Sequence, residues 1–216
     1  MGAILSTKEL KSVSNMFVFN LAIADFCISS LVDSFTAVGV LFGKNYFDKR
    51  PGLCQFIAFA CLVFCESSLI SIGFLAFNRF IKICHSHIYS KLFTKTLTTI
   101  YCSICWLIGL LINLPNILGW SNFIYDKETL NCMWNRLASR SYSIFFPLSS
   151  IIIPCFIILY FYLSIFIYAV RSHSRANQRN GNDNLIFSLR VAKGLFVSYL
   201  LFVFCWYNYI ILYNII

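Results

Sequence analysis

The stretch "LCQFIAFACLVFCESSLISIGFLAFNRF", residues 53–80, is almost free of charge until its last residues. Between Leu53 and Phe77 the one Asp, Glu, Lys or Arg side chain is Glu66. A helix needs about 20 mostly apolar residues to cross the hydrocarbon core of a bilayer. The stretch therefore predicts a membrane-spanning helix with Asn78 and Arg79 at one end.

The whole chain has the composition of an integral membrane protein. Its 216 residues are 59% hydrophobic and only 12% charged, with a mean hydropathy of +0.76, whereas soluble domains carry about a quarter charged residues. Five stretches are long and apolar enough to span a bilayer, and they cover residues 14–42, 53–84, 97–118, 143–170 and 191–216. The sequence predicts an all-α membrane protein with a single transmembrane domain over residues 1–216.

The basic residues indicate the orientation of the chain rather than nucleic-acid binding. The net charge is +9, but the Lys and Arg residues lie in short loops between apolar runs and form no continuous basic stripe. Segments 1–13, 79–95 and 171–193 carry eleven of them, and segments 44–50 and 121–142 carry six. Because cytoplasmic loops are enriched in Lys and Arg, the first group is predicted to be cytoplasmic. No nucleic-acid partner is expected.

Two of the ten cysteines differ from the rest. Eight lie inside apolar runs, where a thiol behaves as a small hydrophobic group, and no His or carboxylate completes a recognisable metal-ligand set near them. Cys54 and Cys132 fall at or in the segments predicted to face an oxidising compartment. A disulfide between them would contribute about 4 kcal/mol in the chain-entropy model, and two free thiols are the alternative.

Three carboxylates lie inside predicted spans, where a charge is costly and points to a function. They are Asp25, Asp33 and Glu66. Asp25, with Ser68 from the next helix, would form a small cation site, or it is a protonated structural residue. Glu66 would meet a ligand or satisfy a polar group on a neighbouring helix. A row of such acids would favour a transporter or channel, but the last three spans contain none.

Several motifs at matching spacings resemble the rhodopsin-like (class A) G-protein-coupled receptors. "NLAIAD", residues 20–25, resembles the second-helix signature of that family. Arg79 stands twenty-five residues after Cys54, where the family places the arginine of its Asp/Glu-Arg-Tyr triplet. Other residues match signatures of the fourth, fifth and sixth helices: Trp106, Pro154, Tyr162, Phe202, Cys205 and Trp206.

Within that family, "NRFIKICHS", residues 78–86, is similar to melatonin receptors and their invertebrate orphan relatives, which carry Asn-Arg-Tyr followed by Cys-His-Ser. Cys61 occupies the position at which biogenic-amine receptors hold their amine-binding Asp. The resemblance therefore implies that the ligand is not an amine.

The resemblance implies helices two to six of a seven-transmembrane bundle, in a multi-pass plasma-membrane receptor that is not an enzyme. It implies a disulfide between Cys54 and Cys132, and a sodium site at Asp25 and Ser68 as the one expected bound ion. The expected partners are a heterotrimeric G protein, membrane lipids and a small-molecule, lipid or peptide ligand. Asn78, Arg79 and Tyr162 would form the G-protein switch. The implied pocket residues are Cys61, Cys65, Phe146, Trp206 and Tyr209.

The chain also departs from the family pattern. Asn78 replaces the acidic residue before the arginine, and Asn208 stands where the sixth-helix proline belongs. Segments matching the first and seventh helices are missing from the sequence, which predicts a fragment. The alternative functions are a non-signalling truncated receptor that pairs with full-length receptors and an ion-conducting or transporter subunit.

Overall fold

The computed structural model describes residues 13–127 and 130–176, together with 190, 192–194, 196, 197, 199–201, 203 and 204. Trp206 and Tyr209, two of the predicted pocket residues, lie outside the described residues, as do Phe202 and Cys205. The described part of the chain is mostly helical, as expected for the all-α membrane class.

The helices follow one another with short connections. The first three are α1 (Val13–Cys27), α2 (Asp33–Phe42) and α3 (Lys44–Asp48). The central ones are α4 (Pro51–Cys84), α5 (Ser86–Leu92) and α6 (Lys95–Ile117). Two strands, β1 (Phe123–Asp126) and β2 (Asn131–Trp134), precede α7 (Arg140–Pro147) and α8 (Ile153–Ala176).

Within the residues that the structure describes, four helical segments are long and apolar enough to cross a membrane: Val13–Phe42, Pro51–Cys84, Lys95–Ile117 and Arg140–Arg171. A shorter apolar helix covers Ala192–Leu201, within the span predicted at 191–216. Local sequence sets where some of these helices begin. Pro51 occupies the first position of α4, where its missing N–H group costs nothing. Ser139 caps α7 by accepting a hydrogen bond from the Tyr142 amide.

Two of the spans contain a π-helical turn. Ile28–Val32 joins α1 to α2, and Leu148–Ile152 joins α7 to α8. In each turn the next amide donates to the carbonyl five residues back, from Asp33 to Ile28 and from Ile153 to Leu148. Such turns insert one extra residue into a helix and frequently mark functional sites. The second turn directly precedes Pro154, which has no N–H group to donate.

The chain divides into two compact units. One contains Met1–Ser71 and Lys95–Pro154, and the other contains Ile72–Thr94 and Cys155–Ile216. The first unit holds the β-hairpin and most of α4, and the second holds the cytoplasmic end predicted for α4 together with most of α8.

A hairpin lies in the segment where the sequence predicts a polar loop. Strands β1 and β2 are antiparallel, and Tyr125 lies opposite Cys132. Cys132 is joined to Cys54 at the start of α4 by a disulfide, with a Cα–Cα distance of 5.3 Å. The predicted disulfide is therefore confirmed. The Tyr125 hydroxyl donates to the Gly39 carbonyl over 3.0 Å, which ties the hairpin to α2 as well.

Candidate functional site

A buried hydrogen-bond network joins three spans of the first unit. Asn20 of α1 donates through Nδ2 to the Ser71 hydroxyl over 2.8 Å and accepts from Trp106 Nε1 over 3.0 Å. Ser71 donates in turn to the Ser67 carbonyl one turn earlier in α4. Hydrogen-bonded polar groups of this kind fix the positions of α1, α4 and α6 relative to one another.

The predicted cation site lies one turn further along α1. The Ser68 hydroxyl donates to Asp25 Oδ1 over 2.9 Å, so the structure places together the two residues expected to form it. Ser68 is buried and Asp25 is exposed. One carboxylate and one hydroxyl are hard oxygen donors, which suit a small cation but make up only part of a coordination shell.

A second set of polar side chains lies between α4, α6 and the α7–α8 span. Its members, here called the Glu66 cluster, are each at most 5% exposed: Glu66, Asn113, Asn116, Tyr142 and Ser150. Gly109 lets α6 approach closely, because a Cβ there would lie 3.3 Å from Glu66 Cβ. Ser150 and Tyr142 are near enough to interact with the Glu66 carboxyl.

The Glu66 cluster has unusual hydrogen bonding. The Ser150 hydroxyl lies near the Glu66 carboxyl and Asn116 lies near the Tyr142 hydroxyl, but among the described residues each member keeps at least one buried polar atom outside hydrogen-bonding geometry. These atoms are Glu66 Oε2, Asn113 Oδ1, both amide atoms of Asn116, and the hydroxyls of Tyr142 and Ser150. The large majority of buried polar atoms in native proteins are paired. The cluster therefore holds most of the incompletely paired buried polar atoms in the described part of the chain.

Aromatic rings cover the Glu66 cluster on one side. The Tyr142 ring packs against Phe146 at 5.7 Å and Trp134 at 5.8 Å between centroids, and Leu62 joins the same apolar group. Phe146, one of the predicted pocket residues, therefore lies beside the cluster. The other two described pocket candidates, Cys61 and Cys65, are one turn apart on α4, and their thiols interact with each other.

A cavity of about 370 Å³ opens between the start of α4, the end of α6 and the residues before the hairpin. Three phenylalanines line it, Phe56, Phe59 and Phe123, and Asn116 of the Glu66 cluster reaches it as well. Small-molecule sites in proteins have volumes of about 300–1,000 Å³. The size and the mixed aromatic and polar lining suit a small organic ligand.

In the second unit, Arg79 lies among tyrosines. It interacts electrostatically with Tyr89 and Tyr162, and within the described residues no carboxylate forms a salt bridge with it. Its Nε and the Tyr162 hydroxyl are buried, and neither has a hydrogen-bond partner among the residues described. Asn78, fully buried beside it, donates through Nδ2 to the Tyr89 hydroxyl over 3.3 Å.

Tyr162 is held by neighbouring rings rather than by hydrogen bonds. Its ring lies 5.2 Å from Phe196 and 6.3 Å from Tyr199, and the Tyr199 hydroxyl donates to the Cys155 carbonyl over 2.9 Å. The structure thus brings Asn78, Arg79 and Tyr162 into one group, as the sequence predicts. It adds Tyr89 and Tyr199, which the sequence analysis did not select.

Sequence reasoning also missed four members of the Glu66 cluster. Asn113 and Asn116 interrupt the apolar run "LIGLLINLPN", residues 107–116, and this interruption was the available signal. Tyr142 and Ser150 carried no comparable signal, because serines and tyrosines recur throughout the predicted 143–170 span and its approach.

Comparison with known proteins gives a consistent result. The family "7 transmembrane receptor (rhodopsin family)" matches residues 1–216. Melatonin receptor type 1C of Xenopus laevis is 27% identical over 204 residues, which are 94% of this chain and 48% of that receptor. The G-protein coupled receptor moody of Drosophila pseudoobscura pseudoobscura is 28% identical over 187 residues, 85% of this chain and 27% of its own length.

A solved structure shows the same fold. Squid rhodopsin superposes with a TM-score of 0.82 at 20% sequence identity, covering 97% of this chain and 60% of that one.

Melatonin receptor type 1A of Mus musculus is 26% identical over 94% of this chain and 57% of its own length. The chain therefore spans about half the length of the curated melatonin receptors it matches.

Proposed function

This chain belongs to the rhodopsin family of seven-transmembrane receptors, and we propose that it transduces the binding of an extracellular ligand into activation of a heterotrimeric G protein at the plasma membrane. The observation that carries the proposal is the group around Arg79. A half-buried guanidinium whose Nε has no partner among the described residues, next to a Tyr162 hydroxyl that also has none there, has hydrogen-bonding capacity that a protein partner would use.

The mechanism follows from a two-state equilibrium. A ligand changes the balance between two states only as far as it binds one state more tightly. In the inactive state, Arg79 is retained by the aromatic group of Tyr89 and Tyr162 rather than by a carboxylate. In the active state, the guanidinium donates to acceptors of the G protein. The chain itself contributes no bond-making chemistry and only promotes nucleotide exchange on the partner.

Nucleotide exchange tests the proposal. Vesicles containing the protein, expressed from its full transcript, are mixed with purified heterotrimeric G protein, and GTP-analogue uptake is measured. Since several relatives are named as melatonin receptors, melatonin is the first agonist to add. Basal or stimulated exchange above empty vesicles supports the proposal. An ion current across the vesicles without any exchange would favour the transporter alternative instead.

We further propose that Asp25 and Ser68 contribute two oxygen ligands to a sodium ion in the inactive state. The 2.9 Å hydrogen bond between the two side chains supports this, because it brings a carboxylate and a hydroxyl oxygen to one point. Replacing Asp25 with asparagine removes the negative charge and keeps the size of the side chain.

We expect sodium to lower basal exchange in the wild-type protein and to have no effect in Asp25→Asn. Potassium chloride at the same ionic strength serves as the control, since it separates ion binding from charge screening. Equal sodium responses in the two proteins would show that Asp25 has only a structural role.

Asn78 gives a prediction about basal activity. An aspartate at this fully buried position would place a carboxylate beside Arg79, and the pair would stabilise the inactive arrangement. We expect Asn78→Asp to lower agonist-independent exchange about fivefold, which corresponds to roughly 1 kcal/mol.

Asn78→Ala is the matched control for this change. It removes the hydrogen bond to Tyr89 without adding charge, so it is expected to leave basal exchange unchanged or higher. Exchange is normalised to the amount of protein at the cell surface. An Asn78→Asp protein with unchanged or higher basal exchange would contradict the account.

A further inference from the structure

Tyr199 joins the helix Ala192–Leu201 to α8 through its hydroxyl group. The hydroxyl donates to the Cys155 carbonyl over 2.9 Å, and it lies near enough to the Cys155 thiol to interact with that group as well. Tyr199 is only 4% exposed. A phenol hydroxyl that lost this acceptor inside an apolar span would remain without a partner, which costs free energy. The bond therefore opposes separation of the two helices.

The ring of Tyr199 makes a second contact with α8. The Tyr162 and Tyr199 ring centroids are 6.3 Å apart, and Phe196 lies 5.2 Å from Tyr162 and 6.1 Å from Tyr199. Tyr162 follows Cys155 by seven residues, which is about two helical turns, so both residues lie on the same side of α8. Tyr199 thus contacts α8 at two levels, with its hydroxyl at Cys155 and its ring at Tyr162.

The second contact concerns the predicted G-protein switch directly. Tyr162 interacts with the Arg79 guanidinium, but its hydroxyl has no hydrogen-bond partner among the described residues. The rings of Phe196 and Tyr199 therefore hold Tyr162 in place. If the helix Ala192–Leu201 moved away from α8, both rings would leave with it and Tyr162 could turn. Such a movement has to break the hydrogen bond between Tyr199 and Cys155.

We propose that Tyr199 is a positioning residue for the G-protein switch, and that its hydrogen bond to the Cys155 carbonyl stabilises the inactive arrangement of Arg79 and Tyr162. The inference rests on the proposed function and adds a residue that sets the ratio of inactive to active receptor without agonist. Tyr199 acts through Tyr162 and contacts neither the agonist nor the G protein in this account.

The test variant is Tyr199→Phe, which keeps the ring and removes only the hydroxyl. Loss of an average hydrogen bond between membrane-spanning helices changes an equilibrium about threefold. Basal nucleotide exchange in vesicles is therefore expected to rise about threefold at equal amounts of receptor. A variant that merely unfolded would lose exchange instead. In the double variant Arg79→Ala/Tyr199→Phe the rise should disappear, because the effect of Tyr199 passes through the switch.

Tyr160→Phe is the matched control. It also removes a phenol hydroxyl from α8, but Tyr160 is 61% exposed and its ring contacts Phe80 and Phe161 rather than the helix Ala192–Leu201. Basal exchange in Tyr160→Phe is expected to equal that of the wild type.

The Cys155 thiol gives a measurement that needs no G protein. The full chain in detergent micelles is treated with N-ethylmaleimide, and the alkylation of each cysteine is followed by peptide mass spectrometry. Because the Tyr199 hydroxyl lies beside this thiol, Cys155 is expected to react about threefold faster in Tyr199→Phe. Cys84, near the end of α4, is the internal reference and should react at the wild-type rate.

Four results would overturn the inference: unchanged or lower basal exchange in Tyr199→Phe, an equal rise in Tyr160→Phe, a rise that persists in the double variant, or an unchanged alkylation rate at Cys155. Its failure can be told apart from failure of the proposed function. Exchange that depends on Arg79 but is the same in Tyr199→Phe removes the positioning role and leaves the receptor function standing. Faster Cys155 alkylation in Tyr199→Phe with no exchange in any of the proteins refutes the receptor function and supports the contact.

Discussion

Replacing Arg79 with alanine is expected to lower nucleotide exchange on the G protein by about tenfold or more. A hydrogen bond to a charged group contributes about 1.5–3 kcal/mol, and each 1.4 kcal/mol is about a factor of ten. The guanidinium offers five donors in a fixed plane. Its Nε has no hydrogen-bond partner among the described residues. Replacing the arginine therefore removes a donor that is available to the G protein. Exchange is measured with and without agonist, at equal surface expression.

Two further variants show what the arginine supplies. Arg79→Lys keeps a positive charge but loses the planar fork, so it is expected to lose most of the exchange activity as well. Lys82→Ala removes an exposed positive charge three residues further along α4 and should retain wild-type exchange. Full exchange in Arg79→Ala would contradict the switch, and an equal loss in Lys82→Ala would indicate a nonspecific effect of basic charge.

A contact between residues far apart in the sequence could be predicted where few residues of the required type were available to form it. The disulfide between Cys54 and Cys132 is an example, because the other cysteines lie in apolar runs. The family and the fold class are also confirmed. They could be predicted because the motifs "NLAIAD" and "NRFIKICHS" depend on spacing within a chain segment rather than on packing.

The place of Ser150 in the Glu66 cluster could not be predicted, for a reason that lies in helix geometry. Assigning residues to one face assumes a constant 100° per residue, and the π-helical turn at Leu148–Ile152 breaks that assumption by adding a residue. Ser150 lies inside that turn. The direction in which the Ser150 side chain points therefore depends on how the helix accommodates Pro154. A periodic sequence pattern cannot predict this.

Contacts made by small residues escaped prediction as well. Gly39 looks like an ordinary helix glycine in the sequence, yet a Cβ there would collide with the Leu130 carbonyl oxygen near the hairpin turn. The hairpin itself was expected to be a loop, because strands of four residues are too short to show an alternating pattern. Only the folded chain shows that the Tyr125 hydroxyl contacts Gly39. Burial there, followed by the charge of Asp126, raises the pKa of the Tyr125 phenol.

Gly109 leads to the largest expected effect on stability. A Cβ at this position would lie 3.0 Å from the Val63 carbonyl oxygen and 3.1 Å from the Ser67 hydroxyl oxygen, both on α4. Alanine normally stabilises a helix by about 1 kcal/mol relative to glycine. At Gly109 the backbone of α4 cannot move aside without separating two spans, so we expect Gly109→Ala to melt at a lower temperature than the wild type.

A bulkier side chain should enlarge this effect. Gly109→Leu would force α6 away from α4, at a cost of about 3 kcal/mol or more, the upper range for overpacked sites, and it would also disturb Glu66 and Asn113. Gly73→Ala is the matched control, because a Cβ there meets only side-chain atoms of Ile158 at 3.7 Å. It should melt at or above the wild-type temperature. Melting is followed in detergent micelles with a fluorophore that reacts with newly exposed thiols.

A double substitution tests whether the contact itself is the cause. Ser67→Ala removes the hydroxyl that would lie 3.1 Å from the new Cβ and leaves the Val63 carbonyl in place. Ser67→Ala should therefore restore part of the stability lost in Gly109→Ala, and the two changes together should be less destabilising than their sum. If Gly109→Ala is as stable as Gly73→Ala, α4 and α6 do not approach each other closely at this point. The Glu66 cluster would then be more open than the structure indicates, and its unpartnered atoms would be accessible to water.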